Sequence, residues 1–444
     1  MRLIPRPLDL ARPATAGVAL GEGVAAAEAG WRRTFSSFRN PYYRWLWIGM
    51  LFSFTSMQMQ QLARGYLAFQ LEGTATALGV VSIGWGAPQL VFSLFGGAVA
   101  DRSEKRNLLL VTQSAMGLLA LIAAILVHTD AIRIWHLVLL GFGQGTVFSF
   151  NMPARQALIP ELVGEGELMN AVALNNAAMN MTRIVGPSLA GVLIALPFVG
   201  LTGSFYVTAA LYLVVVLTLL RIPPTGSAAG RARRPVREDM AAGVRYISGQ
   251  PLLLSLMGLA LVPTVLGMPY QMLLPAFAGD VLHVGSVGLG VMGAAAGAGA
   301  VVGALTVASM SNPTRRSQVQ LVAGVGFGAA LVLFGAAGLF GLSLGALVLV
   351  GMTSTAYMAI NNAMLLSSSQ PEFHGRVMSV YMLTWSLMPL AALPMSMAGD
   401  RVGVQPTVAA AGALIALFVL AVAVFYPGYR RVDAPFKAGG GDGA

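Results

Sequence analysis

The 444-residue chain contains no cysteine. That absence excludes disulfides, cysteine nucleophiles and thiolate metal sites. Histidine is scarce: His128, His136, His283 and His374 lack metal-ligand spacing, and neither metal nor other cofactor is implied. Charge is scarce too, at 10% of residues against about a quarter in an ordinary soluble domain. Acids are the rarer sign, 17 against 27 Lys and Arg, and all 17 fall in loops, tails or helix ends, Glu72, Asp130, Asp280 and Asp400 among them. No long apolar run carries a central carboxylate. Nor does any hold a nucleophile, His and acid grouping or a phosphate-binding loop, which argues against an enzyme.

What is present is hydrocarbon, 56% of residues, in blocks long enough to cross a bilayer. A span needs about 20 apolar residues, and twelve candidates can be read: 44–71, 78–100, 107–127, 132–150, 168–195, 203–221, 252–278, 287–310, 317–338, 340–362, 376–399 and 406–426. The expectation is an all-α membrane protein of twelve transmembrane helices in two six-helix pseudo-repeats. With the N-terminus inside, all but four of the 27 cationic residues fall on cytoplasmic segments, Arg155 being counted with the loops. Only Arg64, Arg133, Arg183 and Arg401 remain, an asymmetry that places both termini in the cytoplasm. The net charge of +10 thus reports topology and attraction to anionic lipid heads. No interleaving of aromatic and basic residues suggests a nucleic-acid groove.

Residues 1–34 read as a disordered arm rich in Ala and Gly without a signal peptide's apolar core, and 428–444 as a cytoplasmic tail. Between the bundles 35–222 and 252–427 lies a polar connection, 223–251, with an amphipathic helix signal near 236–248. The two bundles echo each other. "NMPARQALIPELVGEGELMNAVAL", read as the turn after the fourth span, matches "NNAMLLSSSQPEFHGRVMSVYML" after the tenth, with Asn151 opposite Asn361 and Pro160-Glu161 opposite Pro371-Glu372. Two parallel six-helix repeats are a transporter architecture whose substrate site lies near the midplane between halves.

Two motifs then point to a family. "GGAVADRSEKR", 96–106, resembles the loop between the second and third helices of the major facilitator superfamily, and "RIVGPSLAG", 183–191, resembles the fifth-helix signature of its exporters. With "FRNPYYRWLW" and the six-and-six spacing, the chain resembles the branch of bacterial enterobactin exporters and related efflux proteins over about residues 35 to 430. The resemblance implies a multi-pass bacterial inner-membrane exporter working by alternating access. It implies an inner-face latch of Gly97, Asp101, Arg102, Lys105 and Arg106, although the same loop could simply anchor topology; the matching loop "SMSNPTRRSQ" has Asn312 where the acid would fall. It also implies a fifth-helix bend at Gly186, Pro187 and Gly191, where proline removes a backbone donor and glycine permits close packing. Proton-coupled relatives carry an arginine three residues before Gln-Gly on the fourth span, where this chain has Gly141. That leaves Glu72, Asp101 and Glu161 as coupling groups by elimination, or a carrier not coupled to protons.

Polar residues inside the spans mark the candidate site. Ser53, Ser56, Gln60 and Arg64 share one face of the first helix, beside Gln61; Asn176, Asn180, Arg183 and Pro187 share one face of the fifth. An arginine at bilayer depth usually lines a cavity or pathway. The alternatives are that Arg64 snorkels outward and that Arg183 clamps carbonyls freed by Pro187. Tyr270, Tyr357, Asn361, Tyr381 and Trp385 are candidates for the opposite wall. The seventh span, with Pro263, Pro269 and Pro275 around Gly267, should be broken, and Gly293, Gly297, Gly299 and Gly303 of the eighth should serve close helix packing. The expected cargo is an amphipathic small molecule, siderophore-like or drug-like, carried out by a monomer; an importer or facilitator of an anionic metabolite, or a lysolipid flippase, is the alternative.

A chain without cysteine is ready for single-cysteine labelling. Ser227→Cys should react with a membrane-impermeant maleimide only from the cytoplasmic side, and Thr129→Cys only from outside; the reverse pattern would overturn the charge-based orientation.

Overall fold

The computed structural model describes residues 36–224, 236–310, 316–426 and 429. The arm 1–34, the tail from 430, most of the connection, Asn312 and the side chain of Asp101 lie outside the described residues. Helix α1 (Pro41–Glu72) starts at a well-made cap: Asn40 Oδ1 accepts the N–H groups of Tyr42 (2.9 Å) and Tyr43 (3.3 Å), and Pro41 sits where a helix needs no donor. It stops at Gly73, whose φ of 64° suits glycine. There follow α2 (Ala75–Arg102), α3 (Lys105–His128), α4 (Ile134–Val163), α5 (Leu168–Ala195) and α6 (Gly200–Leu220). The amphipathic α7 (Val236–Ser248) then leads into α8 (Pro251–Val281), α9 (Gly285–Ser309), α10 (Arg316–Ala336), α11 (Phe340–Ser367), α12 (His374–Val402) and α13 (Val404–Phe425).

Ten of these are long and apolar enough to cross a membrane, by length and composition. The two long helices outside that set, α1 and α4, have 32 and 30 residues; α1 carries the Gln and Arg stripe and α4 carries Asn151, Arg155 and Glu161. Polar residues on an inward face lower the mean hydropathy without exposing charge to lipid. The seventh span is interrupted as expected, with π-helical turns at Pro263–Gly267 and Phe277–Val281.

One expectation needs correction. The segment read as a turn after the fourth span is helix through Val163, despite Pro153 and Pro160, and Arg155 lies 4% exposed inside it. Pro153 cannot donate to the carbonyl of Ser149, and Gly96 of α2 brings its backbone directly against that carbonyl. The same device recurs at Pro187, which frees the carbonyl of Arg183: a Cβ on Gly297 of α9 would lie 2.8 Å from that oxygen. A glycine on the neighbouring helix thus shields what proline leaves open, which lets these helices continue.

The helix pairings have two-fold pseudo-symmetry. In the first half α2 packs on α4 and α3 on α6; in the second, α9 packs on α11 and α10 on α13. Across the halves α5 packs on α9 and, equivalently, α12 on α2. These seams close only toward the end of the bundle that carries the α1–α2 and α8–α9 connections, termed the far end; the opposite end is termed the basic end. Positions 191 and 290 nearly touch, a Cβ on Gly191 lying 2.8 Å from the Cα of Gly290, and one on Gly79 2.7 Å from the Cα of Leu393. Toward the basic end the helices diverge: Gly97 has nothing within 4 Å of its Cβ position among the described residues, and Phe95, Val172, Leu305 and Met382 are exposed.

Asp400 of α12 clamps the far end. One carboxylate oxygen accepts the N–H of Ala75 at 2.7 Å and the other that of Thr76 at 2.8 Å, an anion on the positive end of α2 in the other half. Asp400→Ala should lengthen distances between spin labels on the far ends of α2 and α12. Unchanged distances would show that the glycine seams alone hold that end.

Candidate substrate cavity

Between the halves lies a cavity of about 60 Å³, room for a few waters. Its polar wall comes mostly from the first half: Gln60, Gln61 and Arg64 of α1, Ser82 of α2, Gln144 of α4 and Tyr212 of α6. Its apolar wall is Met57, Trp85, Met116 and Phe148, and the second half contributes only Met272 and Pro389. No acid lines it among the described residues.

The α1 stripe faces inward. Ser53, Ser56 and Gln60 are all buried, and Arg64 Nη1 donates to Gln144 Oε1 at 2.7 Å. Arg64 is therefore held across the α1–α4 interface, with no need to snorkel. Gln144 belongs to "GFGQG", where Gly141 brings α4 against α2: a Cβ there would lie 3.3 Å from the Trp85 backbone nitrogen and 3.6 Å from Arg64 Nη1. Beside the guanidinium, Gln60 Nε2 is buried without a partner among the described residues. Gln61 reaches only Met272, an Nε2 to sulfur separation of 3.9 Å. The cavity thus offers donors in excess of acceptors.

The α5 stripe is placed differently. Arg183 is exposed, as is Asn176, and Asn180 is half-buried. Arg183 makes no hydrogen bond or ion pair among the described residues, so the carbonyl freed by Pro187 is covered by Gly297 and not by the guanidinium. The stripe runs from the closed α5–α9 seam, where a Cβ on Gly293 would meet the Pro187 ring at 2.7 Å, toward the open basic end. Gly186 faces Gln58 of α1. Gly191 faces Gly290 of α9, so the three bend residues serve two different interfaces.

The second-half candidates mostly lie outside the cavity in this conformer. Tyr357 is 1% exposed and its hydroxyl donates to the Leu259 carbonyl at 2.7 Å. Asn361 accepts from Gln320 Nε2 at 2.6 Å, and Tyr429 joins that network through Gln320 Oε1 at 3.0 Å. These residues tie α8, α10 and α11 together. Tyr270 and Tyr381 are buried in an apolar cluster built from both halves, with Trp385 packed against it. Of the loop residues, Lys105 is 3% exposed and paired with Glu161 at 2.9 Å, while Arg106 Nε donates to the Leu219 carbonyl at 3.2 Å at the end of α6. Sequence reasoning missed Ser82, Trp85, Gln144 and Tyr212. Gln144 was legible, as the partner that an arginine in the first span would need; Tyr212 was not, because the sixth span reads as lipid-facing.

Gln144→Leu should destabilise the protein by about 1–3 kcal/mol, since Arg64 keeps its charge and loses its acceptor. Arg64→Met combined with Gln144→Leu should recover most of that loss in the melting temperature; additive losses would mean that the bond contributes nothing.

The family model described as "Transmembrane secretion effector" matches residues 32–434. The multidrug efflux pump Tap of Mycolicibacterium fortuitum is 28% identical over 386 residues, 84% of this chain and 92% of that protein. The enterobactin exporter EntS of Citrobacter koseri is 26% identical over 343 residues, 76% of this chain and 80% of the other. Among solved structures, the nucleoside transporter NupG superposes with a TM-score of 0.69 at 14% identity, covering 87% of this chain and 99% of that one. A bacterial homologue of the human lysosomal transporter Spinster, in an inward-facing and unoccupied conformation, has a TM-score of 0.69 at 14% identity over 89% and 97%. Those structural likenesses establish the fold, and the relatives are transporters and not enzymes. The chain is a multi-pass membrane transporter, and it belongs to the transmembrane secretion effector family of the major facilitator superfamily.

Proposed function

We propose that the chain exports an amphipathic small molecule bearing an acidic or catechol-like group, from the cytoplasmic side of a bacterial inner membrane, by alternating access. The observation that carries this reading is the one-sided chemistry of the cavity: Arg64 and an unpartnered Gln60 amide beside Met57, Trp85, Met116 and Phe148, without an acid. A guanidinium suits carboxylate and phosphate because its planar fork donates paired bonds, and methionine adapts to several apolar shapes. Relatives named as a multidrug efflux pump and an enterobactin exporter favour export over import.

With the basic end cytoplasmic, as the lysine and arginine distribution supports, this conformer is inward-facing: shut at Asp400 and the glycine crossings, open where Asn176, Asn180 and Arg183 lead inward. A cargo entering there meets Arg183 before Arg64. Tyr270, Tyr381 and Trp385 join the wall as the basic end closes, with Gly186, Pro187 and Gly191 as the yielding part of α5 and Gly97, Asp101 and Arg102 at the contact that shuts it. The chain then works as a monomer, and the missing carboxylate within the spans leaves proton drive to Glu72, Asp101 or Glu161 alone.

The test is transport into inside-out vesicles of naphthalene-2-carboxylate and the matched neutral carboxamide. Wild type should prefer the carboxylate. Arg64→Gln should lower its uptake about tenfold and barely change the carboxamide, and Arg183→Lys should weaken uptake despite keeping the charge. An imposed pH gradient should have little effect. Equal transport of both analogues by wild type and Arg64→Gln, or movement only in the import direction, would overturn the reading.

A further inference from the structure

The second arginine of the first half's interior is Arg155, which no motif singles out. It is 4% exposed within α4. Its Nη2 donates to Ser53 Oγ at 3.3 Å and Asn151 Oδ1 at 3.4 Å, both long for such bonds. Its Nε is buried with no partner among the described residues, and its guanidinium carbon stands 5.3 Å from the centre of the Phe54 ring. All of these neighbours are neutral. The acid of α4, Glu161, is engaged by Lys105 at 2.9 Å. A buried cation with only weak neutral partners is costly, and the cost falls only when an anion joins it.

The fold does not ask for that charge. Asn151 lies opposite Asn361 in the repeat, and each ties the fourth helix of its half to the third: Asn151 Nδ2 donates to Thr112 Oγ1 at 2.8 Å, and Asn361 accepts from Gln320 at 2.6 Å. One turn further on, Arg155 corresponds to Leu365, which is 0% exposed. The same architectural slot is filled by hydrocarbon in one half and by a guanidinium in the other. Packing therefore accounts for a large side chain there and leaves the charge unexplained.

Space adjoins it. A narrow cavity of about 10 Å³ is walled by Ser53, Phe54, Gln113 and Asn151, room for one water-sized group. It shares Met57, Met116, Phe148 and Tyr212 with the main cavity, so the two compartments are adjacent. Along α4, Gln144, which holds Arg64, and Asn151, which touches Arg155, are seven residues apart, roughly 10 Å at 1.5 Å per residue. Gln113 Nε2 donates to Ser53 Oγ at 2.9 Å, which keeps that hydroxyl turned to the same pocket.

We propose that Arg155, with Ser53 and Asn151, forms a second anion subsite inside the first half, on the basic-end side of the Arg64–Gln144 pair, which receives the carboxylate or equivalent acidic group of the cargo. The proposal rests on the anionic-cargo reading above. Met57, Met116, Phe148 and Tyr212 line both compartments, so an acidic group that leaves one guanidinium has the other in the neighbouring compartment.

The experiment measures binding of naphthalene-2-carboxylate and naphthalene-2-carboxamide, together with melting temperature, for the full chain and for Arg64→Gln, Arg155→Lys and Arg155→Leu. Arg155→Leu installs the residue that the second half already uses. It should keep or raise the melting temperature, lower carboxylate affinity about tenfold and leave the carboxamide unchanged, with Arg155→Lys in between. A lowered melting temperature in Arg155→Leu, or parallel loss of both probes, would show that the charge holds the fold and would overturn the subsite. Unchanged carboxylate affinity in Arg155→Leu beside a loss in Arg64→Gln would overturn it as well while leaving the exporter reading intact. Wild type that does not prefer the carboxylate would overturn both.

Discussion

The two halves meet where glycine lets helix backbones approach almost to contact, α5 against α9 and α2 against α12. In a solvent of hydrocarbon, burying apolar side chains supplies little drive between helices, so close backbone packing has to hold the seam. Glycine crossings, within a half as well as between halves, answer a second demand of that solvent, that no backbone polar group stay open. The carbonyls freed by Pro153 and Pro187 are shielded by Gly96 and Gly297. Proline can therefore sit inside transmembrane helices here, and the positions it loosens are also those where helices cross.

From these seams follow the shape and polarity of the cavity. Because they close at the far end only, the space between the halves narrows to a pocket ringed by Arg64, Gln60 and Gln144, and the α5 stripe is left facing the wider end. Asp400 adds a directional contact to the packing, since its carboxylate bridges two N–H groups of the other half. Alternating access in such a molecule means exchanging this set of contacts for another at the basic end. Each set must be strong enough to close and weak enough to release.

Among the described residues, the two deep arginines of the first half have no acid as a partner. Arg64 leans on one amide, Arg155 on a hydroxyl and an amide, and the cavities beside them have methionine and aromatic rings in common. A protein that keeps two guanidinium groups at depth with neutral partners is ready for a ligand that brings the opposite charge. The second half, with Leu365 where the first has Arg155, supplies hydrocarbon there, and its Tyr357 hydroxyl is already satisfied by the Leu259 carbonyl.

The helical class, the short amphipathic helix Val236–Ser248, the broken seventh span and the inward stripe of α1 were legible in the amino-acid order, because each depends on local periodicity or on proline and glycine acting within a turn or two. The depth of Arg155 was not. Read along the chain it stands among Pro153, Pro160 and Glu161 and looks like loop; only the approach of α2 through Gly96 lets α4 continue and carry it inside. Likewise Asn361 and Tyr357 have the composition of a binding wall, and it takes the packing of α8, α10 and α11 to show that the Tyr357 hydroxyl and the Asn361 Oδ1 are already engaged. Periodicity tells which face of a helix is polar, whereas the partner that face meets, and whether its hydrogen bonds remain available to a ligand, is decided by contacts between different helices, far apart along the chain.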